Sequence, residues 1–203
     1  MKKSIILLLI SWLIACNCYA KTPIEKRPLV QIQTTKGDII VRLFPDEAPI
    51  TCENFLSYVN DKFYNNTLIH RVIDGFLIQT GGFDTNYNPK KTKAPIKNES
   101  RNGKSNLKGT LAMALKLDKD SASSQFFFNL ADNTDLNYTT KRGRGYTVFA
   151  EVIQGYDTLV KISKVRTRRI TIHSELYKRN VPLYDFPEED IIIKSIKTLR
   201  SKK

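Results

Sequence analysis

The sequence predicts a mainly β domain, folded as a closed barrel whose mouths are covered by two α-helices. Three observations carry this expectation. Apolar runs of strand length recur along the chain at Leu68–Ile73, Phe76–Gln79, Thr110–Leu115, Gln125–Leu130 and Thr147–Ile153, divided by glycine and asparagine. Only two segments carry helical spacing, and many short strands with isolated helices read as a closed all-β architecture. With 203 residues, 10% aromatic and 26% charged, the chain has the size and composition of one soluble domain with a sizeable core.

The remaining elements follow in order. Leu29–Thr35 alternates apolar and polar residues, Lys36-Gly37-Asp38 is a turn signal, and Ile39, Val41 and Leu43 alternate again. That is a β-hairpin with one buried face. Pro45–Pro49 breaks it, and Pro49 suits the first turn of a helix that runs to about Asp61 with Ile50, Phe55, Leu56 and Val59 inward. A second helix is expected over Tyr156–Ile162 and a last strand over Ile191–Leu199. Phe83–Gly109, rich in Asn, Lys, Gly and Pro, reads as a long irregular loop. So does Arg166–Glu189, which is basic and then contains Pro and Tyr. Long ordered loops in a compact domain are usually functional. The chain shows no internal repeat and no interdomain linker.

Residues 1–20 read as a leader. Lys2 and Lys3 precede the apolar run Ile5–Ala15, and small residues lead to Tyr19-Ala20, the layout of a secretory signal. The run falls short of the roughly 20 residues that span a membrane comfortably. Two processing routes stay open. Cleavage after Ala20 leaves a single domain of residues 21–203, with the barrel over about 28–199. Alternatively, Leu13-Ile14-Ala15-Cys16 resembles a bacterial lipoprotein box, with Cys16 lipidated. The expected location is the periplasm, with a lipid anchor to the envelope if the second route is used. After cleavage at Ala20, Cys52 is the only cysteine left, so no intramolecular disulfide can form. Its helical spacing from Phe55, Leu56 and Val59 marks it as a small buried apolar residue. The formal net charge is +13, enough to attract nucleic acid or anionic membranes. No nucleic acid is expected to meet a secreted chain. The basic clusters at Lys164–Arg169 and at Lys197, Arg200, Lys202 and Lys203 therefore point to an anionic envelope surface, or to a solvated face without a dedicated partner.

Generic catalytic patterns are lacking. His70 and His173 lie outside metal-ligand spacings, no Gly-x-Ser-x-Gly elbow occurs, and Gly81-Gly82 lacks the frame of a phosphate-binding loop. No metal and no cofactor is expected. The informative strings are longer. They are His70-Arg-Val-Ile-Asp-Gly-Phe-Leu-Ile-Gln-Thr-Gly-Gly-Phe83, Gly109-Thr-Leu-Ala-Met-Ala114, Asp118-Lys-Asp-Ser-Ala-Ser-Ser-Gln-Phe-Phe127, Tyr146-Thr-Val-Phe-Ala-Glu-Val152 and Phe186-Pro-Glu-Glu-Asp-Ile-Ile-Ile-Lys-Ser195. In this order, over about Pro28–Leu199, they resemble the cyclophilins.

The resemblance implies an eight-stranded antiparallel barrel with two helices and a peptide groove on its outer face. It implies a peptidyl-prolyl cis-trans isomerase that acts on proline-containing polypeptides; with the leader, this enzyme is expected to assist folding in the cell envelope, as a monomer. Carried over by position, Arg71 is the catalytic residue. Phe76, Leu77, Phe127 and Leu136 are the proline pocket. Gln79 and Gln125 orient Arg71 and the substrate, and Ala114 offers backbone to the peptide. Tyr146 falls where many members have histidine and several bacterial ones tyrosine. Strand alternation sends Phe127 to the groove and Phe126 and Phe128 to the interior. These residue types suit the task. A twisted prolyl amide gains a basic lone pair on nitrogen, and a permanently charged guanidinium binds that state better than the planar one. Asp135 departs from the family, which usually has tryptophan or another aromatic there, so weak cyclosporin binding is expected. Leu115 and Thr80 also depart, without touching Arg71. The alternatives on the same fold are a non-catalytic peptide-binding chaperone and an envelope interaction module that uses the basic Arg166–Lys178 loop. Arg71, Phe76 and Gln79 together favour the enzyme, because a retired site need not retain them.

Overall fold

The computed structural model describes residues 27–199 except 175 and 177. The expected leader, with its two processing routes and Cys16, lies outside the described residues, as do Arg200, Lys202 and Lys203. Alternation in the first hairpin holds: β1 (Leu29–Thr34) and β2 (Gly37–Leu43) pair from Leu29↔Arg42 to Thr34↔Gly37. They bury Val30, Ile32, Ile39, Val41 and Leu43 on one face. There follow α1 (Pro49–Asn60), β3 (Thr67–Ile73), β4 (Leu77–Asp84), β5 (Thr110–Met113), β6 (Phe126–Asn129), β7 (Val148–Gln154), α2 (Tyr156–Ser163), β8 (Thr167–Ser174), β9 (Arg179–Pro187) and β10 (Ile192–Leu199). Eight strands close an antiparallel barrel in the order β1-β10-β3-β4-β6-β5-β7-β2, while β8 and β9 form a separate ribbon.

Aromatic side chains fill the interior. Phe126 and Phe128 point inward from β6 and Phe149 from β7, and Phe55 enters from α1; all are buried. The Phe55 ring centroid lies 5.4, 5.4 and 5.2 Å from those of Tyr64, Phe126 and Phe149 in tilted and edge-on geometries that suit the ring quadrupoles. Leu159 and Ile162 of α2 join the same cluster. Cys52 is buried with them, its Sγ 3.6 Å from the Phe149 carbonyl oxygen, and burial raises its thiol to about 12. It is a packing residue with no nucleophilic character.

Three sequence expectations need correction. Ile50, expected inward, is 41% exposed. The inward face of α1 instead includes Thr51, Asn54 and Tyr58, whose polar atoms are satisfied on site. Glu99 accepts from the Thr51 N–H and hydroxyl at 2.8 and 2.7 Å, Asn54 donates to the Ser123 carbonyl at 2.7 Å, and the Tyr58 hydroxyl accepts from the Lys93 N–H at 2.8 Å. Glu99 also accepts from the Ile50 N–H at 3.1 Å. It thus caps, from the long irregular loop, a helix start whose N–H groups lack partners of their own.

The second correction concerns Arg166–Glu189, expected as loop and found as the β8–β9 ribbon. Its apolar residues do alternate: Ile170 and Ile172 on one strand, Val181 and Leu183 on the other, packed with Leu68, Phe83 and Phe186 in a second core outside the barrel. Outward charges and two prolines masked that pattern. Proline is tolerated here because each strand of a two-stranded ribbon is an edge. The third is an extension: β4 runs past Gln79 to Asp84, through Gly81-Gly82.

Truncating Phe55 to alanine should lower the unfolding free energy by about 3–5 kcal/mol, the range for a large buried aromatic. Ile50→Ala should change it by less than about 0.5 kcal/mol. Urea unfolding of both variants checks the assignment.

Candidate active site

The ladder registers set one row of side chains across four strands. Arg71 on β3 pairs with Gln79 on β4, Gln79 with Phe127 on β6, and Phe127 with Ala112 on β5. Paired residues share a sheet face, so the row lies together on the outer surface, while Phe126 and Phe128 point the other way. Phe127 is buried on that surface in a small cluster with Phe44, Leu77, Ala112 and Val148, flanked by Phe76, Ala114, Leu136 and Tyr146. Its ring meets that of Tyr146 edge-on at 5.6 Å.

A cavity of about 250 Å³ opens over this cluster, lined by Arg71, Phe76, Leu77, Gln79, Ala114, Leu115, Phe127, Leu136 and Tyr146. Every site residue named from the sequence is there except Gln125, which stands beside it. The Gln79 amide donates to Gln125 Oε1 at 2.8 Å. The seat of Gln125 depends on the glycine pair: a Cβ on Gly82 would collide with the Gln125 side chain, and one on Gly81, at φ +88°, would lie 2.5 Å from the Ser124 carbonyl oxygen. Gly81-Gly82 therefore serves close strand approach. Arg71, 39% exposed, donates from Nε to Asp185 Oδ2 at 3.3 Å. The acceptor on its guanidinium thus comes from β9, while the Nε2 of Gln79, expected to orient Arg71, donates to Gln125.

Residues 29–198 match the family described as cyclophilin type peptidyl-prolyl cis-trans isomerase. The chain is similar to peptidyl-prolyl cis-trans isomerase B of Escherichia coli (strain K12), at 47% identity over 170 residues, 83% of this chain and 98% of that protein. The chain belongs to the cyclophilin family. A peptidyl-prolyl cis-trans isomerase of Acinetobacter baylyi is 43% identical over 200 residues, covering 98% of this chain and all of its own length. Among solved structures, a cyclophilin type isomerase of Cryptosporidium parvum superposes with a TM-score of 0.68 at 25% identity, over 87% of this chain and 99% of its own.

Sequence reasoning missed the polar frame under this cyclophilin pocket. Asn129 donates to Asn106 Oδ1 at 3.2 Å, and Asn133 to Asn129 Oδ1 at 2.8 Å and to the Phe76 carbonyl at 2.9 Å. Asn106 donates to Asn137 Oδ1 at 3.0 Å and to the Tyr146 carbonyl at 3.3 Å. Asn106 and Asn129 are fully buried. This asparagine chain ties down the segments carrying Phe76, Leu136 and Tyr146. The signal that could have found it was the recurrence of asparagine in otherwise apolar or turn-forming stretches. Asp135, one residue before Leu136 in the 3₁₀ turn Thr134–Leu136, is exposed and, unlike Leu136, does not line the cavity.

His70 lies behind Arg71, its ring 4.8 Å from that of Phe83, and its Nδ1 has no partner among the described residues. Burial, aided by the neighbouring Arg71 cation, lowers its pKa to about 4. The imidazole is neutral at neutral pH. An unfolded histidine titrates near 6.5. As pH falls from about 6.5 towards 4, the unfolded state gains a proton that the folded state resists, so this contribution is full above the window and lost within it. His70→Gln should flatten the acid limb of a stability–pH profile by up to about 3 kcal/mol between pH 7 and 4. Urea midpoints of both proteins across that range measure it.

Proposed function

We propose that this chain accelerates cis/trans rotation about X-Pro bonds in unfolded or flexible polypeptides, and that it does so in the cell envelope. The observation that carries the catalytic reading is a single guanidinium, Arg71, at the edge of a small apolar cavity built on Phe127. Amide resonance sets a barrier of about 18–20 kcal/mol. Lowering an uncatalysed time of tens to hundreds of seconds to about a millisecond takes roughly 10⁵-fold, or about 7 kcal/mol. No covalent step is needed. The cavity grips the proline ring, the Ala114 backbone and the Gln79–Gln125 pair meet the incoming strand, and the carbonyl side of the bond turns. As it turns, the nitrogen lone pair is freed from resonance and points at Arg71. The charge therefore binds the twisted amide better than either planar form. The apolar wall of Phe76, Leu77, Phe127 and Leu136 lowers the local dielectric and strengthens that contact. A solved structure of the Cryptosporidium parvum relative was determined in the presence of the dipeptide Ala-Pro, which supports a proline-containing ligand.

Arg71→Ala should lower kcat/KM by at least about 100-fold, roughly 2.7 kcal/mol of transition-state stabilisation. A protease-coupled assay on a proline peptide measures it, with circular dichroism as the fold control. Near-normal activity in a folded variant would remove arginine from the mechanism, and a folded wild type without activity would leave the fold as a peptide-binding module.

The envelope assignment rests on the leader: Lys2-Lys3, the apolar run to Ala15, and the small residues up to Ala20. Cells producing the full chain should yield a periplasmic species that begins at Lys21 or, if the lipobox is used, one that begins at an acylated Cys16. Intact mass separates the two, and Cys16→Ser should release only the acylated form from the membrane. An uncleaved chain confined to the cytoplasm would sink the assignment.

A further inference from the structure

The β8–β9 ribbon is docked, not free. Phe186 and Ile172 are buried against Leu68 and Phe83, and Tyr87 closes on Phe186 with ring centroids 5.7 Å apart. At one point the ribbon's register slips: Arg168 pairs with Phe186, but Ile170 pairs with Leu183. Tyr184 and Asp185 therefore share the space opposite Arg169 alone, which is a β-bulge. Asp185 sits in it with φ +55°, in the left-handed region, where aspartate is among the few side chains at ease. Arg169 lies over the Tyr184 ring, 4.9 Å from its centroid, and holds that residue outward. The bulge turns the Asp185 carboxylate onto the barrel wall, where it meets Arg71 Nε at 3.3 Å.

We propose that Asp185 is a positioning residue for Arg71, delivered to the groove from outside the barrel by the β8–β9 arm. The proposal rests on Arg71 being the catalytic group. A guanidinium has one donor on Nε and four on its two terminal nitrogens. A carboxylate on the Nε edge fixes the plane of the group and leaves the terminal nitrogens for the twisted amide. Arginine carries large rotamer freedom, and among the described residues the hydrogen bond from its guanidinium goes to Asp185. Ordering Arg71 before the substrate arrives removes that cost from the reaction step. The bulge and the buried Phe186 beside it explain why a residue so far along the chain reaches the groove at a set distance. Arg71 and Gln79 line both the proline cavity and a cleft of about 630 Å³ walled by Pro182, Leu183, Tyr184 and Asp185. Arm and pocket thus share one surface.

The test is a double-mutant cycle in the proline-peptide assay. Glycine is the right truncation, because it accepts φ +55° without strain. Asp185→Gly should lower kcat/KM about fivefold, the rate equivalent of a partly exposed pair, with the loss in kcat rather than KM. Asp185→Asn keeps an oxygen that accepts the Nε–H and should stay within about twofold of wild type, on the scale of a retained hydrogen bond. In an Arg71→Ala background, Asp185→Gly should change the residual rate by less than about 1.5-fold, since coupled residues are not additive. Wild-type kcat in folded Asp185→Gly, or the same fivefold loss in both backgrounds, overturns the proposal. If Arg71→Ala itself keeps full activity, the catalytic reading has failed and Asp185 has nothing to position. Should Asp185→Gly loosen the fold, Asp185→Lys carries the test, because Lys62 and Lys178 already adopt φ 54° and 48° in this chain. A cation there should cost more activity than glycine, and unchanged activity would again overturn the proposal.

Discussion

The register between β4 and β6 is the constraint on which the rest of this structure depends. Gln79 opposite Phe127 puts the polar and apolar halves of the site on one outward face and leaves Phe126 and Phe128 for the core. Strand side chains alternate strictly, so a slip of one residue would exchange the two faces. Phe127 would enter a filled interior, and two core rings would be stranded on the surface. The barrel and the site are therefore specified by the same hydrogen bonds. The glycine pair guards this register, since side chains at Gly81 or Gly82 would push against Ser124 and Gln125.

Around that wall the site is assembled from parts of different stiffness. Phe127 and Ala112 are strand residues held on both sides by ladder bonds. Phe76, Leu136 and Tyr146 come from segments between strands, and their positions rest on the Asn106–Asn129–Asn133 chain. Buried amides in such a chain are costly if left single and firm when all are paired. Arg71 is held differently again, by a charge brought from a second small core. One apolar floor, one amide frame and one ion pair thus meet over a few ångströms.

Much of this was legible in the sequence, for physical reasons that can be named. The hairpin of β1 and β2, the start of α1 at Pro49 and the aromatic runs all follow from period-two alternation or proline chemistry, both local properties. The groove residues came from the ordered strings, and the structure gathers them around one cavity. What stayed hidden was non-local. Ile50 is the apolar residue beside the polar Thr51 and Asn54, and only Glu99 and Ser123 make those two positions acceptable inside. The β8–β9 ribbon was obscured by arginines on its outer face, although Ile170, Ile172, Val181 and Leu183 alternate beneath them. Asp185 carried no signal at all, because its role depends on a bulge that appears only once the two strands are paired.

The barrel closes by pairing its first strand with its last, Leu29↔Leu199 to Thr34↔Ile193. β10 also bridges to β3 through Ile192↔Leu68. Until β10 is available, β1 and β3 each keep an open edge, and the interior lies open along a seam between them. A chain still emerging from a ribosome therefore cannot complete this fold, however much of it has already appeared. Closure is a contact between opposite ends of the domain, which makes it slow to find. It also acts as a completeness check, because the seam shuts only on a chain that has been made as far as β10.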